Sequence, residues 1–68
     1  MEISARNNLK GRIKRVTMGI VMAEITVDIG DGKEIVASIT KGSAEKLGLK
    51  VGDEVSAVIK STDVMIAK

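Results

Sequence analysis

The chain has 68 residues and a net charge of +2, and it lacks Cys, His, Phe, Tyr and Trp altogether. A chain this short is one domain and buries only about 60% of the surface its unfolded form exposes. The missing residue types exclude disulfides, thiolate metal sites, a histidine base or ligand, and any aromatic platform for stacking on a base.

The first fifteen residues hold Arg6, Lys10, Arg12, Lys14 and Arg15 against Glu2 alone, while the remainder is slightly acidic. A protein that coats nucleic acid would be basic throughout. A local excess suits a small anion or an acidic neighbour. Met1-Glu2 opens on an acid with no apolar run behind it, so no signal peptide is expected and the cytoplasm is the expected location.

Leu9 to Val16 reads as the first strand, with Leu9, Gly11 and Ile13 inward and Lys10, Arg12 and Lys14 outward. Arg15-Val16 breaks the alternation and predicts a bulge or bend. From Ile20 to Ile29 every odd position is apolar, giving a long half-buried second strand. Gly30-Asp31-Gly32 predicts a hairpin with a primed turn. Lys33 to Thr40 alternates again, with Ile35, Ala37 and Ile39 on one face. Ser43 to Gly48 then fits one helical turn, with Ser43 as N-cap, Glu45 in the first turn and Gly48 as terminator. Leu47 and Leu49 are expected to plug the end of a barrel. Glu54 to Lys60 is a fourth strand, and Val64 to Ala67 a fifth. The fold class expected from this order is all-β, a five-stranded, partly open OB-like barrel with one short helix, as a single domain over residues 1–68. Its core rests on nine Ile and eight Val with no large ring. Self-association is the cheapest way to bury more of that β-branched surface.

A catalytic reading finds little. The acids fall at turns or on outward faces, where they read as solvated charge. No calcium loop, Walker A motif or dinucleotide fingerprint occurs, since Gly30 and Gly32 sit in a hairpin. Three polar clusters remain: Ser4-Ala5-Arg6-Asn7-Asn8 before the first strand, Thr40-Lys41-Gly42-Ser43 at the helix, and Lys60-Ser61-Thr62 after the fourth strand. Each alone reads as ordinary turn, cap or strand-end chemistry. Together they match a tetrahedral dianion, which wants neutral N–H and O–H donors, one or two cations, and no carboxylate close by. A helix start beginning at Ser43 would add free backbone N–H groups.

The same clusters carry a family resemblance. Ser4-Ala5-Arg6-Asn7-Asn8-Leu9-Lys10-Gly11 resembles the opening S-A-R-N-x-L-x-G of the molbindins, or Mop proteins, which are small cytoplasmic molybdate-binding proteins. Ala57 to Met65 resembles the family's close, and the likeness spans essentially the whole chain. The resemblance implies a five-stranded OB-like barrel assembled as a hexamer, a trimer of dimers, that binds molybdate or tungstate between subunits without catalysis or a cofactor. By position it implies oxyanion contacts from Ser4, Arg6, Lys60 and Ser61 of one subunit, with backbone N–H groups near Ala5 and Asn7, and from Thr40 and Ser43 of the neighbour. The implied role is intracellular storage and homeostasis. The main alternative is an OB-fold module that binds single-stranded nucleic acid through Lys10, Arg12 and Lys14, or a regulatory module; the missing aromatics weigh against the first.

Overall fold

The computed structural model describes residues 6–68. Four strands form one antiparallel sheet in the order β3-β2-β1-β4: β1 Asn7–Met18, β2 Met22–Gly30, β3 Lys33–Thr40 and β4 Glu54–Ile59. A helix, α1, spans Lys41–Leu47, and a 3-10 turn spans Ser61–Asp63.

The long β1 organises the sheet. Its first half pairs with β4 and its second half with β2, and Arg12 lies opposite both Glu54 and Asp28. The register shifts between Ile13 and Arg15, where the broken alternation predicted a bulge. The extra residue leaves Lys14 and Arg15 both outward and lets Ile13 and Val16 both face the core. It also turns the strand, so the sheet curls. The curl is not closed by a ladder between β3 and β4. An open groove runs between those two edges, lined by Ile35, Ala37 and Ile39 on one side and Val55, Ala57 and Ile59 on the other.

Among the described residues the buried apolar core is Ile13, Ala23, Ile25, Val27 and Ala44, with Val16, Ile29, Ala37, Ile39, Leu49 and Val55 packed against it. Ile20 and Val21 precede β2 instead of joining it, and both lie exposed.

The hairpin forms as predicted. Asp31 and Gly32, at φ 54 and 73, are the two central residues of the turn, and both take the positive φ that a type I′ turn requires. Asp28 Oδ1 accepts from Gly30 N–H at 2.8 Å, which accounts for that aspartate as turn chemistry.

Helix α1 differs from expectation at its start. The N-cap is Thr40, not Ser43: Thr40 is extended and its side chain accepts from Ser43 N–H. A threonine that ends a strand already has the β-region backbone a cap needs, and it lies three residues before an available N–H. Glu45 consequently falls outside the first turn, which has no acid. The predicted terminator stands. Gly48 is left-handed at φ 63, its N–H bonds to Glu45 O, and Leu49 N–H bonds to Ala44 O. This paired closure folds Leu49 back onto the core beside Ala44. Leu47 is 69% exposed and plugs nothing; Ala44 and Leu49 do that work. Gly48→Ala is expected to cost about 1–2 kcal/mol, the penalty of a Cβ in the left-handed region, read as a lower urea midpoint.

The fifth strand, Val64 to Ala67, does not form within this chain. After the 3-10 turn the segment has no ladder partner among the described residues, and Met65 and Ile66 are about nine-tenths exposed. Apolar β-formers signal a strand locally, but a strand exists only where an unpaired edge runs alongside.

Candidate functional site

Two of the three polar clusters meet at one end of the β1–β4 pair. Asn7 lies opposite Ile59 at the last rung of that ladder. Arg6 precedes the rung on one side, and Lys60-Ser61 follow it on the other. Antiparallel partners have Cα atoms roughly 5 Å apart, so Arg6 and Lys60 start from neighbouring backbones. Arg6, Lys60 and Ser61 are all exposed. Ser4 and Ala5 lie outside the described residues. The Asn7 side chain adds a direct tie: its Nδ2 donates to Ile59 O at 3.2 Å, across 52 residues of sequence. Asn7 was expected to offer only its backbone N–H. The amide bridge has no local sequence signal, because its acceptor is a distant carbonyl.

The third cluster is built by the strand-to-helix junction. Thr40 Oγ1 accepts from Ser43 N–H at 3.1 Å and pairs with Ser43 Oγ at 2.7 Å. Lys41 N–H donates to Val21 O at 2.8 Å. The two hydroxyls are therefore pre-set against each other, and Gly42 beside them stands in open space.

These groups do not converge within one chain. Thr40 is opposite Met22, next to the Met18–Ala23 rung at the far end of β1. Asn7 is at the near end of this 12-residue strand. At the usual strand rise that is a contour of roughly 36 Å, reduced by the bend but far beyond the span of a small anion.

Three of the eleven basic residues are in ion pairs among the described residues. Arg12 pairs with Glu54 at 2.8 Å, Lys14 with Glu34, and Lys50 with Asp53 at 3.4 Å. The outward row of β1 is thus partly neutralised by acids on other elements. None of the ion pairs among the described residues takes Arg6, Lys41 or Lys60. Asp63, in the 3-10 turn, is the acid nearest in sequence to Lys60-Ser61. Among the described residues no group of three or more Asp and Glu could hold a bare metal ion. The arrangement places Arg6, Lys41 and Lys60 among hydrogen-bond donors, which suits an anion.

Comparison with known proteins agrees with that chemistry. The model of the TOBE domain matches residues 3–66. Molybdenum-pterin-binding protein 3 of Clostridium pasteurianum is 52% identical over 66 residues, covering 97% of both chains. The chain belongs to the Mop family of TOBE domains. Among solved structures, a molybdate-binding protein from Sporomusa ovata superposes over all of both chains with a TM-score of 0.94 and 43% identity. The cytoplasmic molybdate-binding protein ModG, with molybdate bound, matches 90% of this chain and 43% of its own length, with a TM-score of 0.85 and 44% identity. MopA of Rhodobacter capsulatus is 45% identical over 67 residues, and there the match spans a quarter of the longer protein. The Mop domain therefore occurs both at this length and within larger chains. None of these findings favours the nucleic-acid reading. No described helix is long and apolar enough to cross a membrane.

Proposed function

We propose that this protein binds molybdate, and tungstate with it, as the intact oxyanion at sites between subunits, and that it serves intracellular storage and homeostasis in the cytoplasm without catalysing a reaction. The observation that carries this reading is the Asn7–Ile59 rung, which sets Arg6 beside Lys60-Ser61 in a chain whose relatives are named for binding molybdate. In this reading Ser4, Arg6, Lys60 and Ser61 of one subunit, with N–H groups of Ala5 and Asn7, face Thr40 and Ser43 of the next. The distance between the clusters in one chain supports a site shared by two copies.

The metal arrives with four oxide ligands, so the protein needs no cofactor and no direct metal ligand. It replaces the anion's water with N–H and O–H donors. Arg and Lys supply charge, and the hydroxyls rotate to suit. Selectivity follows from size and protonation. Sulfate is smaller than molybdate and leaves donors short of their acceptors. Phosphate is partly protonated near neutrality and offers a donor where the site wants an acceptor. One unpaired buried donor costs about 1–3 kcal/mol, or about tenfold to hundredfold in affinity.

Assembly belongs to the same reading. Ile20, Val21, Met65 and Ile66 are exposed apolar side chains. A hexamer built as a trimer of dimers would bury such surface and complete the sites. Sedimentation is expected to give that hexamer, whereas a monomer at micromolar concentration would remove the shared sites. Calorimetric titration with molybdate is expected to give saturable heat, with sulfate and phosphate at least tenfold weaker. Equal affinity for sulfate, or no heat with molybdate, would contradict the proposal.

A further inference from the structure

We infer that the Asn7 side chain is a positioning residue for the oxyanion site, locking the Arg6 and Lys60-Ser61 segments at a fixed spacing before any ligand arrives. This rests on the binding function proposed above and adds a residue role to it.

The geometry assigns that role in three steps. First, the Asn7 amide is committed. Its Nδ2 donates to Ile59 O, a partly buried bond between the first residue of β1 and the last of β4. The acceptor is a carbonyl, so the nitrogen end must face it, and one of its two N–H groups is taken by the tie. Second, the bond sits at the point of departure. Lys60 leaves the sheet immediately after Ile59 with φ −63 and ψ 138, and the 3-10 turn begins at Ser61. Third, the other hydrogen bonds that the departing segment makes among the described residues are those of its own turn. Asp63 N–H bonds to Lys60 O at 2.9 Å, and Val64 N–H to Ser61 O at 3.4 Å. Removing the Asn7 tie would free Lys60-Ser61 to move against Arg6, and binding would then have to order them.

Neighbouring Asn8 supplies the contrast. It is exposed, lies opposite Val58 and makes no side-chain bond among those of the described residues. Asparagine as such is therefore not the requirement; the donor at position 7 is. Aspartate there would fail for a second reason, since it would face Ile59 O with a like-signed oxygen and set a carboxylate beside the site.

The test compares wild type, Asn7→Leu, Asn7→Gln and Asn8→Ala by molybdate calorimetry, with amide hydrogen exchange on the ligand-free proteins. Asn7→Leu keeps the size and removes the donor. It is expected to weaken molybdate binding by about three- to tenfold. It should speed exchange at Asp63 and Val64, whose N–H groups bond back to Lys60 O and Ser61 O, while leaving Leu9 to Ile13 protected. Asn7→Gln, which keeps an amide, should recover part of the affinity, and Asn8→Ala should bind as wild type does. Wild-type affinity in Asn7→Leu would overturn the inference. So would loss of protection along the whole β1–β4 pair in both Asn7 variants, because the role would then be plain stability. Failure of wild type to bind molybdate would instead sink the proposed function, and the exchange measurement would still report on the tie.

Discussion

Gly11→Ala is expected to destabilise the domain by about 2–3 kcal/mol or more, enough to leave much of the protein unfolded at moderate urea. A Cβ at position 11 would lie 2.5 Å from Asp28 O, 2.6 Å from Val27 Cγ1 and 3.2 Å from Asp28 C. The nearest obstacle is the backbone of β2, which cannot swing aside as a side chain could. Overpacking a tight site typically costs about 1–3 kcal/mol, and here the ladder must shift as well. A domain this small has only a few kcal/mol in hand. Position 11 is where β1 runs past β2 on its way from β4, so the clash would spread to both pairings. Gly42→Ala is the matched control. Nothing lies within 4 Å of its added Cβ, and an alanine inside α1 should be neutral or stabilise by up to about 1 kcal/mol. Urea unfolding of the two variants side by side measures the difference. Equal midpoints would show that β1 does not approach β2 as described.

Removing both cations of the near cluster should nearly abolish oxyanion binding without dispersing the oligomer. A hydrogen bond to a charged group contributes about 1.5–3 kcal/mol, so Arg6→Ala or Lys60→Ala alone should weaken molybdate binding roughly tenfold to hundredfold. Neither side chain enters the buried core or an ion pair among the described residues, so folding should be little affected. The double variant should lose at least a hundredfold and become less sensitive to added salt, because most of the attraction for the dianion is gone and only Lys41 of the facing cluster remains. Calorimetry gives the affinity and sedimentation the assembly. Wild-type affinity in the double variant would mean that the anion binds elsewhere.

The parts of the fold that sequence made legible are those fixed by neighbouring residues. Gly30-Asp31-Gly32 demanded positive φ and obtained it, Arg15-Val16 broke the alternation where the register shifts, and Gly48 ended the helix. The misreadings turned on contacts that residue type alone does not fix. Val64 to Ala67 has the composition of a strand, but it pairs with no strand among the described residues. Leu47 has the composition of a core residue, but the helix presents Ala44 inward. Ser43 was read as the cap because it opens an apparent turn, whereas the cap is the last residue of β3 acting from three positions earlier.

The site divides in the same way. Residue types and a motif picked out Arg6, Lys60, Ser61, Thr40 and Ser43. Only the ladder revealed that the first three share one end of β1 while the last two lie at the other. The bridge from Asn7 to Ile59 was invisible until those strands were paired.

The central claim is that each anion is held jointly by segments of two copies. The most direct measurement is a crystal grown with molybdate, in which molybdenum is located by its anomalous scattering. A peak is expected within hydrogen-bond reach of Arg6 and Lys60 of one protomer and of Thr40 or Ser43 of another. A peak enclosed by a single chain, or one remote from Arg6 and Lys60, would contradict the claim.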